Sequence, residues 1–125
     1  MAEKQLLTNI DELGRATLTL NRPEVHNAFD DSLIAELTVA LQDLAADPQV
    51  QSVCLAATGK SFSAGADLGW MRRMADYSHA ENLSDAMALA ELMRTLNELP
   101  KPTLALVQGA AFGGGVGLVA ACDIV

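Results

Sequence analysis

The chain has 125 residues, half of them apolar, which is enough to bury the core of one domain. Its formal net charge of −8 argues against nucleic acid and against an anionic membrane surface, since either partner needs a basic stripe. Any anionic ligand must therefore be held by local donors. Cys54 and Cys122 lie in apolar runs without CxxC spacing, and with no recognisable signal peptide they are expected to be small core residues in a reduced, cytoplasmic setting.

Residues 6–10 and 16–20 are short runs rich in apolar residues and Thr, separated by Asp11-Glu12-Leu13-Gly14-Arg15, and they predict a β-hairpin. Pro23 then stops the strand, and Asn21 and Asn27 suit a structured loop. Asp30 or Asp31 is expected to cap a helix whose Leu33, Ile34, Leu37, Leu41 and Leu44 share one face, with Asp47-Pro48 ending it. Residues 50–57 predict a strand buried on both faces. A loop of small residues follows, 58–68, and then a short mobile helix over 70–77. From 80 to 99 a second long helix is expected, with Leu83, Met87, Ala90, Met93 and Leu96 as its core stripe, closed by Pro100-Lys101-Pro102. Residues 103–108 predict the next strand.

That strand leads into Gln108-Gly109-Ala110-Ala111-Phe112-Gly113-Gly114-Gly115-Val116-Gly117, ahead of a helix expected at 118–122. Three consecutive glycines suit no regular element and point to a backbone that something approaches closely. A glycine turn opening a helix also aims unpaired amides and the positive dipole end at one spot, as an oxygen anion requires. Three other readings compete: a membrane span, because residues 104–122 carry no charge; a permissive dinucleotide fingerprint; and a turn that only permits close packing. Glycine content weakens the first, and the distance from strand to glycines weakens the second. Asp123-Ile124-Val125 reads as the opening of a further buried strand, so the chain is expected to be cut within a larger domain.

Strand, small-residue loop and helix occur twice, so two sets of backbone amides are expected to converge at the carboxyl ends of neighbouring strands of a largely parallel α/β sheet. Two such N–H donors suit a thioester or ester carbonyl that becomes an oxyanion. Ser61 and Ser63 lack a GxSxG elbow, His26 and His79 stand alone, and no metal-ligand spacing occurs.

Asn21-Arg22-Pro23 with Asn27-Ala28, then Ser61-Phe62-Ser63-Ala64-Gly65-Ala66-Asp67-Leu68, then Lys101-Pro102, then Gly109-Ala110-Ala111-Phe112-Gly113-Gly114-Gly115 with Cys122-Asp123-Ile124, resemble the enoyl-CoA hydratase/isomerase (crotonase) superfamily in order and spacing. The resemblance implies a crotonase-like spiral of ββα units with a mainly parallel sheet, in which residues 1–125 are the N-terminal part of a single core domain. It implies that Ala66 and Gly114 supply the oxyanion-hole amides for an acyl-CoA thioester. It also implies that the main chain of Ala64 contacts the adenine and that Asp67, Leu68 and Gly69 line the acyl pocket. The 22–25 loop, with Arg22 and Val25, is similar to the one that runs along the CoA, where Arg22 would meet a phosphate. Trp70 and Met74 would either pack or touch the acyl chain. No cofactor is implied beyond the coenzyme A of the substrate, and a homotrimer or dimer of trimers is the implied assembly.

One departure stands out. Where hydratases of the family carry a glutamate two residues after the third glycine, this chain has Gly117, and the second glutamate of the usual pair would fall beyond Val125. The details are most similar to bacterial methylglutaconyl-CoA or isohexenylglutaconyl-CoA hydratases of leucine or terpene breakdown, whose second carboxylate Arg72 or Arg73 would meet. The expected activity is hydration of such a 2-enoyl-CoA. An enoyl-CoA isomerase and a non-catalytic CoA-binding protein are the alternatives.

Overall fold

A computed structural model describes residues 4–125. Strands β1 (Leu6–Ile10) and β2 (Arg15–Leu20) form the expected antiparallel hairpin, with Leu6 opposite Leu20 and Ile10 opposite Ala16. Asp11 shapes its turn by accepting from the N–H groups of Leu13 and Arg15. Helix α1 (Asp31–Ala46) starts where Asp30 Oδ1 accepts from Leu33 N–H at 2.9 Å, satisfying one donor of the first turn. Its five spaced apolar residues are all buried. At the other end the Lys101 ammonium donates to the carbonyls of Leu44 and Asp47, placing a cation at the negative pole of the helix.

Strands β3 (Ser52–Ala57) and β4 (Thr103–Ala105) join β2 in parallel, giving the order β1-β2-β3-β4 with one antiparallel edge. Helices α1 and α3 (His79–Asn97) pack on each other, and their apolar residues share one buried cluster with Ala16, Leu18, Leu20, Val53 and Leu55. The alternate residues Thr17, Thr19, Cys54 and Ala56 are half-buried, because side chains change face at every residue of a strand and these helices lie on one face. The strand expected to be buried on both sides is therefore buried on one. Strand β4 is also shorter than expected. It ends at Ala105, after which Leu106 N–H still reaches the Leu55 carbonyl at 2.9 Å. Ile124 bridges Leu104 in parallel, so the last residues do pair with the sheet, but Ile124 and Val125 are exposed rather than buried as expected.

Three helices depart from their predicted limits. Helix α2 (Leu68–Ala75) starts two residues early, since Asp67 is its N-cap, with Trp70 N–H donating to Asp67 Oδ1 at 3.1 Å. In α3 the core stripe is Leu89, Leu92, Met93 and Leu96, whereas Leu83 and Met87 are 53% and 60% exposed and Ala90 is exposed as well. The predicted methionine stripe is thus core in its C-terminal half alone, where α1 covers it. Helix α4 (Gly114–Ala121) begins four residues early and contains two of the three consecutive glycines. Among the described residues no helix is long and apolar enough to cross a membrane.

Candidate active site

Three loops at the carboxyl ends of β2, β3 and β4 meet in one place. The first, 21–30, makes a single 3-10 turn at Pro23–Val25, after which His26 and Asn27 both adopt φ 54°, a left-handed conformation uncommon outside glycine. Asn27 holds that shape. It is fully buried, its Oδ1 accepts from Arg22 N–H at 2.7 Å, and its Nδ2 donates to the carbonyls of Thr58 and Ser61 at 2.7 and 3.0 Å. The side chain thereby ties the first loop to the second. Ser63, also fully buried, donates through Oγ to the Asn27 carbonyl and accepts from Gly65 N–H. Its hydroxyl is committed to the scaffold, in line with the missing nucleophile elbow.

Beyond Asn27 the chain is extended, and Phe29 pairs with Ala66 in a parallel bridge. Phe29 N–H donates to the Gly65 carbonyl and Asp67 N–H to the Phe29 carbonyl, both at 2.8 Å. When the residues flanking Ala66 supply both bonds, its own N–H points to the opposite edge. Among the described residues that N–H has no acceptor. A second bridge, Ser63 with Ala111, lays the glycine loop alongside the second loop, with Phe112 N–H donating to the Ser63 carbonyl at 2.9 Å.

The contact between these loops explains the glycines. A Cβ on Gly65 (φ 89°) would lie 2.9 Å from the Phe112 carbonyl, and one on Gly115 would lie 2.8 Å from the Ser63 carbonyl. One on Gly114 would overlap the tip of the Phe29 ring. Close approach, rather than a break in helical structure, is what demands glycine here, and so Gly114 and Gly115 stand inside α4 despite their low propensity. Gly114 is the first helical residue, so its N–H has no intrahelical partner, and it has no other acceptor among the described residues. Phe29 touches Gly114 with its ring and flanks Ala66 with its backbone. The two amides singled out in the sequence are thus brought against one residue.

Ala66 lies in the wall of a depression of about 340 Å³, which is also lined by Val25, His26, Ala28, Ala64, Asp67 and Leu68. Five of these are named from sequence as site residues; His26 is set aside there as a lone histidine, and Ala28 is quoted only within the Asn27-Ala28 motif. Gly114, Gly69 and Arg22 lie outside its lining. The Ala64 N–H is occupied by the His26 carbonyl at 2.9 Å, so its carbonyl is the group left for a ligand. His26 Nδ1 is 3.2 Å from Ser61 Oγ in an exposed contact.

Arg22 is placed otherwise than expected. Its guanidinium donates to the Ala28 carbonyl at 2.7 Å and to Asp67 Oδ2 at 3.3 Å, and it lies 3.9 Å from Asp30 Oδ2. It joins the N-cap carboxylates of α1 and α2 instead of standing free for a phosphate. Asp67 is correspondingly committed. The Trp70 N–H above all, opposed by partial desolvation and aided by Arg22, holds its carboxyl below the ordinary range. With the folded-state value lowered, this contribution is complete above the unfolded value near 3.8 and is lost as pH falls through the folded one. Asp67→Asn, which keeps a cap without the charge, is expected to flatten the acid limb of Tm against pH below about pH 4, as thermal scans will show.

Arg73 is likewise engaged, donating to Asp31 at 2.9 Å, while Arg72 makes no ion pair among the described residues. Trp70 is a packing residue, 4% exposed, with its indole N–H donating to Asp85 at 2.9 Å; Met74 packs against the same core. Burial raises the Cys122 thiol to about 11 and shifts Cys54 upward, so neither is a ready thiolate at neutral pH. Both cysteines are half-buried rather than fully in the core. Among the described residues no cluster of His, Cys, Asp and Glu could hold a metal ion.

Comparison with solved structures defines the class. The chain superimposes on a Legionella pneumophila structure that carries the crotonase name with TM-score 0.94 and 49% identity, over 98% of this chain and 47% of that one. An enoyl-CoA hydratase from Shewanella pealeana gives 0.94 and 46%, over 97% and 45%. The fold is the α/β crotonase fold. The sequence profile described as enoyl-CoA hydratase/isomerase matches residues 12–125, and the chain belongs to that family. A curated relative, the trans-2-decenoyl-[acyl-carrier-protein] isomerase of Streptococcus mutans, is 38% identical over 96% of this chain and 46% of its own length. The chain thus spans less than half the length of the relatives it matches.

Proposed function

We propose that this chain supplies the thioester-binding elements of an enoyl-CoA hydratase. The carbonyl oxygen of a 2-enoyl-CoA accepts from the N–H groups of Ala66 and Gly114. Water adds to the β-carbon, the electron pair of the double bond moves toward the thioester, and the oxygen carries the enolate charge until a proton reaches the α-carbon. Each donor contributes on the order of 3–4 kcal/mol to that charged state. The observation that carries the reading is the pair of unpaired amides held against Phe29, one of them in the wall of an apolar depression. Coenzyme A arrives as part of the substrate, and the reaction as written uses no other cofactor.

Proton transfer needs a carboxylate that the depression does not offer, since Asp67 is bound to Arg22 and to Trp70 N–H. Gly117 has no side chain, and a Cβ there would already lie 3.0 Å from Met93 Cε. This observation favours enoyl-CoA isomerisation, which a single later carboxylate can serve, as the second reading. A glutaconyl-type substrate is the finer form of the hydratase proposal, supported by Arg72, whose charge is not neutralised by an ion pair among the described residues. A trimer or dimer of trimers in the cytoplasm belongs to the same proposal; exposed Leu83, Met87, Phe112 and Val116 support the assembly, and two free thiols the compartment.

The test is the absorbance of the conjugated thioester with purified full gene product. Loss of absorbance with crotonyl-CoA or 3-methylglutaconyl-CoA is expected for hydration, and the larger rate identifies the acyl class. A gain with a 3-enoyl-CoA, without loss on the other two, would replace hydration by isomerisation. No change with any of the three would leave a CoA-binding protein.

A further inference from the structure

The two amides come from positions 48 residues apart in the chain, and a carbonyl oxygen requires both within hydrogen-bond reach at once. Something must therefore fix their separation. The Ser63–Ala111 bridge and the Phe112–Ser63 hydrogen bond hold the glycine loop beside the second loop as far as Phe112; at Gly114 itself the contact is with the ring of Phe29. Phe29 is 2% exposed, its N–H and carbonyl bond to Gly65 and Asp67 on either side of Ala66, and its ring tip is packed against Gly114 so closely that a Cβ there would lie 3.0 Å from Cε2. The backbone on either side of Phe29 is anchored as well. Arg22 holds the Ala28 carbonyl, and Asp30 caps α1.

We propose that Phe29 is a positioning residue: its backbone sets the Ala66 N–H, its ring sets the Gly114 N–H, and the length of the ring determines the spacing of the two donors. This rests on the oxyanion assignment made above. The chemistry follows from differential binding. A hydrogen bond to a developing oxyanion depends steeply on distance and direction, whereas most of the binding energy of a CoA ester comes from parts of the molecule remote from the carbonyl. A misplaced donor should therefore lower kcat and leave KM nearly unchanged.

Two substitutions change the ring length in opposite senses. Phe29→Leu keeps an apolar side chain of similar volume and withdraws the tip from Gly114; Phe29→Tyr adds an oxygen at Cζ and drives Gly114 outward. Both are made in the full gene product, with folding checked by circular dichroism. The readouts are kcat and KM with crotonyl-CoA, and the infrared carbonyl stretch of bound butyryl-CoA, a saturated and hence unreactive thioester labelled with carbon-13 at the carbonyl. In the unmodified protein the stretch is expected to fall on binding, because two donors polarise the carbonyl. In both variants the fall should shrink, and kcat should drop about tenfold or more with KM within about threefold. A folded variant with an unchanged stretch and kcat, and only a lower Tm, would make Phe29 a core residue and overturn the proposal; if Phe29→Tyr does not fold, Phe29→Leu alone decides. Absence of any fall in the unmodified protein would instead remove the oxyanion assignment, and this proposal with it.

Discussion

Gly114→Pro is expected to lower turnover about a hundredfold or more in a protein that remains folded. Gly114 is the first residue of α4, the helical position that accepts proline most readily, since its amide has no intrahelical acceptor and the ring pre-sets φ. The substitution removes the N–H assigned to the oxyanion. It also introduces a Cβ against the Phe29 ring, which would cost activity for a different reason. Gly114→Ala carries the same Cβ and retains the N–H, so the ratio between the two variants isolates the donor. Proline is expected to fall below alanine by about two orders of magnitude in kcat, which corresponds to about 2.7 kcal/mol. Equal rates in the two variants, each shown to be folded, would mean that this amide takes no part.

Asn27→Ala gives the largest expected loss of stability. The substitution leaves the Arg22 N–H and the carbonyls of Thr58 and Ser61 without their partner in a fully buried position. It also places alanine at φ 54°, where asparagine is tolerated better. Together these cost about 3 kcal/mol or more, a fall in Tm on the order of 10 °C. Asn27→Gly removes the same hydrogen bonds but not the backbone freedom, and is expected to recover about 1 kcal/mol of the loss. Thermal denaturation followed by circular dichroism measures both. An alanine variant melting within about 2 °C of the unmodified protein would show that the hydrogen bonds are not what joins the two loops.

Much of the scaffold was legible because local chemistry and tertiary packing agree. The leucines of α1 mark one face, Asp30 supplies its cap and Asp47 its end, and the hairpin follows from a charged turn between two apolar runs. Where the expectations failed, a distant residue decided. Periodicity identifies a stripe on α3 but not how far along it a partner reaches, so Leu83 and Met87 look like Met93 and Leu96 until the extent of α1 is known. Consecutive glycines lower helix propensity, yet a Cβ at Gly114 would displace the Phe29 ring and one at Gly115 would meet the Ser63 backbone, and the helix begins among them regardless.

The site divides along the same line. The residues lining the depression lie in motifs contiguous in sequence, and five of them are among those named from sequence. The charge of Arg22 was evident from its identity, but its partners were not, because Asp30 and Asp67 approach it from the ends of two different helices. Phe29 carried no signal at all. Nothing about a phenylalanine ahead of a helix cap indicates that its ring will meet a glycine eighty-five residues later in the chain.

Two main-chain nitrogens sharing one oxygen are the centre of the proposed site, and a crystal structure of the full gene product with bound butyryl-CoA tests that directly. The expected result is a thioester oxygen within about 2.7–3.1 Å of both Ala66 N and Gly114 N. A carbonyl bound elsewhere, or an oxygen in reach of only one of the two nitrogens, would contradict it.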